Sequence, residues 1–285
     1  MKYALVKGER QEAQPKVPGI CPCCDSAVIA KCGRVRKPYW AHKSKQMCDS
    51  WKESETEWHR AWKDHFPKEW QEVVHVAENG VKHRADVKTE QGYAIEFQHS
   101  PIKFEERQSR EDFYKAIIWI VNGIRQPKDK EKFIQLWRCS VPLKGKVEMW
   151  KFKGSFETCP LLRDWADSSA PVFFDFGEEF LLGILPKVST EEERYLVGID
   201  RKALIASLHR SPEKSFKRLL IDWGFSITES QPKKEVTPSQ NPQPQGTDYI
   251  PFVNEKFGCE KFCLMASCSH DFSDRPRTNG TQSTT

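Results

Sequence analysis

The chain has 285 residues, 45 Lys and Arg against 40 Asp and Glu, and 38% hydrophobic content, which sets one large soluble domain or two small ones as the expectation. No run of about 18 apolar residues occurs, so no membrane span is expected, and the first residues lack the apolar segment of a secretory signal. A cytoplasmic home follows, where the ten cysteines stay reduced and clustered ones bind metal rather than pair as disulfides.

Residues 1–50 are rich in Cys, Gly and Pro and poor in apolar residues, the composition of a small module that a metal holds together. Cys21-Pro22-Cys23-Cys24 contains a C-x2-C knuckle, with His42 and Cys48 further on. Cys21, Cys24, His42 and Cys48 would make a closed tetrahedral Zn2+ site, structural in kind. Cys23 or Cys32 can stand in for one of the four. Residues 1–60 hold 12 Lys and Arg against 7 Asp and Glu, a local charge of +5. Lys31, Arg34, Arg36, Lys37, Lys43 and Lys45 lie near Tyr39 and Trp40. Basic groups contact phosphates and aromatic rings stack on bases, so DNA is the expected partner; a solvated face around a buried Trp is the plainer account.

Residues 51–150 carry regular patterning. Trp58, Trp62 and Phe66 recur every four residues over a helix spanning 53–66, which Pro67 stops. Strands are expected at 72–77, 82–89 and 93–98, separated by Asn79-Gly80 and Gln91-Gly92 turns. A charged helix (103–116) and a short apolar strand (117–121) follow. The order α-β-β-β-α-β is that of restriction-endonuclease-like nucleases, although small α/β domains of other kinds share it.

Within this region Asp86 and Glu96 fall on adjacent strands, and Gln98 shares a face with Glu96 because side chains two apart point the same way. Two converging carboxylates repel unless a cation neutralises them, and a hard cation such as Mg2+ or Mn2+ suits oxygen ligands. Gln98 would then hold the water. Taken alone, the spacing is also that of an ordinary hairpin with exposed acids. The acidic stretch Glu53, Glu55, Glu57 could add a third carboxylate, and Arg107 and Arg110 on the following helix could reach phosphates.

Tyr-Trp-Ala-His at 39–42, Glu-Thr-Glu-Trp-His-Arg-Ala-Trp-Lys at 55–63, His-Arg-Ala-Asp-Val at 83–87 and Ile-Glu-Phe-Gln-His-Ser-Pro-Ile at 95–102 resemble the competence protein CoiA family over residues 1–150. The resemblance implies a PD-(D/E)xK-class, restriction-endonuclease-like α/β core behind a small zinc-binding module. It implies a metal-dependent deoxyribonuclease, an Mg-dependent endonuclease of competence or DNA-processing type, with recombination or DNA-processing proteins as further partners. Asp86 and Glu96 match the acids of the motif strands and Gln98 the place where the wider superfamily has Lys. Glu57 matches the helical acid, with Glu55 as runner-up. A Lys would lower the pKa of the attacking water, whereas a neutral Gln only orients it. A catalytically inactive DNA-binding or recombination-assisting module on the same fold is therefore the alternative.

Residues 151–228 read as an α/β extension, with two strands at 171–185 around a Gly-Glu-Glu turn and helices at 200–209 and 213–222. Asp175 is its one candidate for extra function, a turn acid being the plainer account. Residues 229–250 read as a flexible linker. The tail, 251–285, carries Cys259, Cys263, Cys268 and His270, a second small metal site or fortuitous cysteines.

Overall fold

Two sheets organise the described residues, the first antiparallel and the second mixed. A computed structural model describes residues 1–43, 48–49, 51, 55–143, 148–186 and 193–210. The first sheet contains β1 (Tyr3–Val6), β2 (Glu9–Glu12), β3 (Pro18–Ile20), β4 (Ala27–Lys31) and β5 (Tyr39–His42) in the order β2-β1-β3-β4-β5. Lys7 (φ 51°) and Gly8 (φ 85°) turn β1 into β2, two successive positive φ values as in a primed hairpin turn. Trp40 is fully buried against Ala4 and Val28, and its indole N–H donates to Gln11 O at 2.9 Å. Gly19 lies so close to the Trp40 ring that a Cβ there would approach it to 2.8 Å.

The second sheet follows α1 (Glu57–Lys63) and a short 3-10 turn (Lys68–Trp70). It begins with the meander β6 (Gln71–Val76), β7 (Lys82–Lys88) and β8 (Ala94–Gln98). The helix α2 (Phe104–Tyr114) crosses over to β9 (Ile117–Asn122), which runs parallel to β8. The order α-β-β-β-α-β expected for this region is thus the order observed.

Thr56 fixes where α1 begins. Its side chain accepts from the His59 N–H while its own N–H donates to His59 Nδ1 at 3.2 Å, a reciprocal cap that satisfies donors with no partner inside the helix.

The sheet continues through α3 (Asp129–Arg138), β10 (Val141–Leu143), β11 (Glu148–Lys153), α4 (Pro160–Arg163), β12 (Val172–Asp175), β13 (Phe180–Ile184), β14 (Glu193–Asp200) and α5 (Arg201–Arg210). The nine strands form one sheet, β10-β11-β14-β13-β12-β9-β8-β7-β6, so described residues beyond 150 extend the same sheet rather than build a separate layer. Trp62 and Phe66, just past α1, and Leu204 and Leu208 of α5 cover Ile95, Phe97, Ile118 and Ile120 on one face. On the other, Trp119 donates to Glu111 of α2 and packs against Trp165.

Asp175 is buried and accepts from the indole N–H groups of Trp58 (2.9 Å) and Trp62 (2.8 Å) and from Arg201 (2.6 Å). It pins α1 to the sheet. The chain divides into units 1–229 and 230–285. The expected helix at 213–222, the linker at 229–250 and the cysteines of the tail lie outside the described residues. Among the described residues no helix is long and apolar enough to cross a membrane.

Candidate active site

The ladder between β7 and β8 pairs Lys88 with Ala94 and Val87 with Ile95, then stops. The next pair in register is Asp86 and Glu96. There the side chains replace the ladder: Asp86 N–H donates to Glu96 Oε1 at 3.3 Å, and Phe97 N–H donates to Asp86 Oδ2 at 3.1 Å. The ladder between β6 and β7 also breaks at this level. Gln71 pairs with Val87 and Val73 with Ala85, but Glu72 and Asp86 between them do not pair. Glu72 has φ 48°, a left-handed conformation rare for a residue with a side chain and of the kind that clusters at functional sites. Glu72, Asp86 and Glu96 therefore occupy one row across three strands where the backbone leaves room.

Lys63, at the end of α1, is buried in front of this row. Its Nζ lies 2.5 Å from Glu55 Oε1, 3.1 Å from Glu72 Oε1 and 3.7 Å from Asp86 Oδ1. Arg110 of α2 donates to Glu96 Oε2 at 3.1 Å. Burial disfavours the Lys63 charge, but Glu72, Asp86 and Glu55 outweigh it and raise its pKa. The reciprocal effect holds Glu72 well below the usual carboxylate range against its own burial, through Lys63 and Arg84. Glu96 goes the other way: burial first, then the Asp86 charge, push its carboxyl up to about 8 despite Arg110. The cleft is lined by five acids (Asp49, Glu55, Glu72, Asp86 and Glu96), with Lys63, Arg84, Arg110 and Met1. Acid is in excess, and Glu96 is the group that carries the excess as a proton. A carboxyl whose pKa is raised by burial and by a neighbouring anion fits a site that takes a cation.

The expected site residues are placed unequally. Asp86 and Glu96 meet. Gln98 does not line the cleft: its amide donates to Ser100 O at 2.8 Å, within its own loop. Glu57, the first residue of α1, is exposed and outside the cleft, whereas Glu55, just before the Thr56 cap, lines it. The cap explains the difference, because it starts the helix at Glu57, which is exposed, and leaves the residue before it against Lys63 and Arg60. Arg107 is buried against Asp167 at 2.5 Å and Glu111 at 3.7 Å, away from the cleft. Lys63 was within sight in the sequence. It follows Trp62 of the apolar stripe directly and so sits on the flank of the buried helix face, a place where a Lys needs partners.

The cysteine cluster is compact. The ligating atoms of Cys21, Cys24, His42 and Cys48 lie within 4.8 Å of one another. Cys21 Sγ and Cys48 Sγ are 3.7 Å apart, and Cys24 Sγ and His42 Nε2 are 3.4 Å apart. Two thiolates about 2.3 Å from a tetrahedral Zn2+ stand about 3.8 Å from each other, so the cluster has the dimensions of such a site. Burial, then the Cys21 charge, raise the Cys48 thiol pKa, a cost that a bound cation reverses. Cys23 is buried outside the set, and Cys32 Sγ lies 3.8 Å from Ala13 O.

Of the basic residues expected to meet DNA, Lys31, Arg34, Arg36, Lys37 and Lys43 are exposed and Lys45 lies outside the described residues. Trp40 is buried in the first sheet, so it does not offer a stacking face. The β4–β5 loop ends at Pro38, whose carbonyl accepts from Arg60 Nη2 at 2.8 Å. Arg60 in turn pairs with Glu55 at 3.0 Å, which sets the base of this basic loop beside the cleft.

Comparison with protein families matches residues 7–50 to the N-terminal domain of competence protein CoiA and residues 68–142 to its nuclease-like domain. The first match spans the knuckle, His42 and Cys48, and the second spans Glu72, Asp86, Glu96, Gln98 and Arg110. No curated protein and no solved structure matches the chain.

Proposed function

Since this chain belongs to the competence protein CoiA family by its N-terminal and nuclease-like domains, we propose that it hydrolyses DNA phosphodiester bonds at the Asp86–Glu96 fork of a restriction-endonuclease-like core, with Mg2+ or Mn2+ held there. The observation behind this reading is the row Glu72, Asp86 and Glu96 at a double break in the sheet, with Lys63 buried against it. A divalent cation at the fork supplies activation of water and neutralisation of phosphate charge. Asp86 and Glu96 are the residues that would hold it. Glu96 gives up its proton to do so, and Arg110 keeps its Oε2 oriented. Glu72 and Glu55 act on Lys63 rather than on the cation, since both touch its ammonium. Lys63 keeps a positive charge beside Asp86, where negative charge develops as a phosphodiester is attacked. It takes the part that a Lys at position 98 would have had. Gln98 secures the Ser100 turn. The Cys21–Cys24–His42–Cys48 set would hold a structural Zn2+, and the exposed Arg34, Arg36 and Lys37 would bind the DNA backbone.

The test is cleavage of supercoiled, linear and branched DNA with Mg2+ or Mn2+. Nicking that requires the cation and disappears in Asp86→Ala and Glu96→Ala is expected. Equal background cleavage in wild type and both variants would remove the hydrolytic reading. The binding-only alternative draws on one observation, that every oxygen of the fork already has a protein partner in Lys63, Arg110 or backbone N–H. It would win if DNA is retained in a gel shift by wild type and Asp86→Ala alike with no cation-dependent cleavage.

A further inference from the structure

The segment that ends the cysteine cluster also touches both strands of the fork. Cys48 is the last residue of the metal set, and Asp49, immediately after it, is buried. Asp49 Oδ1 lies 2.9 Å from His83 Nδ1 and accepts from Trp51 N–H at 3.1 Å, while Oδ2 accepts from Arg84 N–H at 3.0 Å. His83 and Arg84 belong to β7, three and two residues before Asp86. Trp51 stacks on the His83 ring with centroids 3.3 Å apart and planes 10° from parallel. Its carbonyl accepts from Arg110 Nη2, and Arg110 Nη1 donates to Glu96 Oε2 at 3.1 Å. One short stretch of chain therefore runs from a thiolate ligand to the strand that carries Asp86, and through Arg110 to Glu96.

We infer that Asp49 is a positioning residue that couples the Cys21–Cys24–His42–Cys48 cluster to the fork, so that filling the cluster tightens cation binding by Asp86 and Glu96. The coupling rests on the reading of the fork as a cation site. Its physical basis is the short lever between the two. Adjacent Cα atoms are about 3.8 Å apart, and Asp49 is anchored at three points inside the protein. A shift of Cys48 of the order of an ångström cannot be absorbed by a surface loop and must move His83 and Arg84 or break their bonds. Ligation of Cys48 removes that freedom. Without a cation the cluster is held by weak thiol contacts, and Asp49 loses its fixed end. Groups of this kind, one step out from the ligands, change metal affinity about 10- to 100-fold when removed.

The decisive measurement is Mn2+ affinity at the fork, followed by electron paramagnetic resonance on the full chain with its zinc content assayed. Asp49→Asn keeps the size of the side chain and removes its charge. It is expected to retain one zinc per chain and to bind Mn2+ about tenfold more weakly. Cys24→Ser, which removes a cluster ligand, is expected to weaken Mn2+ binding as well. In the double variant the two losses should not add, because both cut the same connection. Additive losses, or unchanged Mn2+ affinity in zinc-loaded Asp49→Asn, would overturn the coupling. If Asp49→Asn does not fold, His83→Gln cuts the same contact from β7 and carries the same expectation. Mn2+ binding that is indifferent to Asp86→Ala overturns the fork as a cation site. Binding that needs Asp86 but ignores Asp49→Asn overturns the coupling alone.

Discussion

The two clusters differ in what balances their charge. In the first sheet, three thiols and one imidazole face each other, and the four ligating atoms are as close as a single ion requires. In the second, the carboxylates spread along a row and are met by Lys63 and Arg110. A set that closes on one ion leaves no position for a substrate, whereas a set that is partly balanced by protein cations keeps room and charge for one. On the function proposed above, one cluster is built to be filled and one to be used. Each of the following changes tests one side of that contrast.

The largest effect is expected at the closed cluster. Cys24→Ser should abolish zinc in elemental analysis and lower the melting temperature by more than about 10 °C, because structural zinc contributes folding energy directly. The first sheet would loosen, and with it the backbone N–H groups of Lys2 and Tyr3 that hold Glu72 at 2.9 to 3.1 Å. Unchanged zinc content would show that these four residues are not the ligands.

Next comes Lys63→Met. It removes the buried ammonium that Glu55 and Glu72 share and leaves them Arg60 and the Lys2 and Tyr3 N–H groups, a loss that costs about 3–5 kcal/mol of stability. Cleavage should fall about 10²- to 10³-fold, the size of removing one well-placed electrostatic group. Mn2+ affinity at the fork should hold or rise, because a competing positive charge has gone. Turnover that survives in a folded Lys63→Met variant would confine Lys63 to structure.

The sequence disclosed these two clusters to different degrees for a physical reason. The cysteine cluster announces itself locally: the knuckle sits in four consecutive positions, and His42 and Cys48 follow within the same small module. The order of strands and helices was legible too, since Trp58, Trp62 and Phe66 repeat with the helical period and Asn79-Gly80 marks a turn. The fork was half legible. Alternation set Asp86 and Glu96 on neighbouring strands, but alternation also put Gln98 on the face of Glu96, and it carried no information about where the Gln98 amide would find its partner. The Thr56 cap decided between Glu55 and Glu57 by setting where the helix starts, a local hydrogen-bond event that hydrophobic periodicity does not see. Lys63 became meaningful only once Glu72, nine residues later, had bent back with a positive φ. The nine-stranded sheet was hidden for a similar reason: pairing of β9 with β12 joins residues more than 50 apart.

A moderate effect should appear with pH. The Glu96 carboxyl, ordinarily near 4.5, is pushed up to about 8 in the folded chain. Between those values the native state holds a proton that the unfolded chain has released, so without a divalent cation stability falls as pH rises from about 4.5 to 8. Cation binding needs the ionised form and competes with that proton. The gain in melting temperature on adding Mg2+ should therefore be larger at pH 8.5 than at pH 6, and binding at pH 6 should release a proton, measurable by calorimetry in two buffers of different ionisation enthalpy. An equal gain at both pH values would mean that Glu96 is not a ligand.

The smallest effect is expected where the sequence drew most attention. Gln98→Ala deletes one buried hydrogen bond, from the amide to Ser100 O, and should cost about 1 kcal/mol of stability. If Gln98 held the attacking water, the same change would lower turnover by the factor of about 10² that a positioned polar group contributes. The structure gives it no such place, since the amide is spent on its own loop and the cleft is lined instead by Lys63 and Arg110. Cleavage within about threefold of wild type, with a small fall in melting temperature, is therefore the expected outcome. A loss near a hundredfold with the fold intact would mean that the amide turns into the cleft when DNA binds, and would return to position 98 the role proposed for the buried ammonium of Lys63.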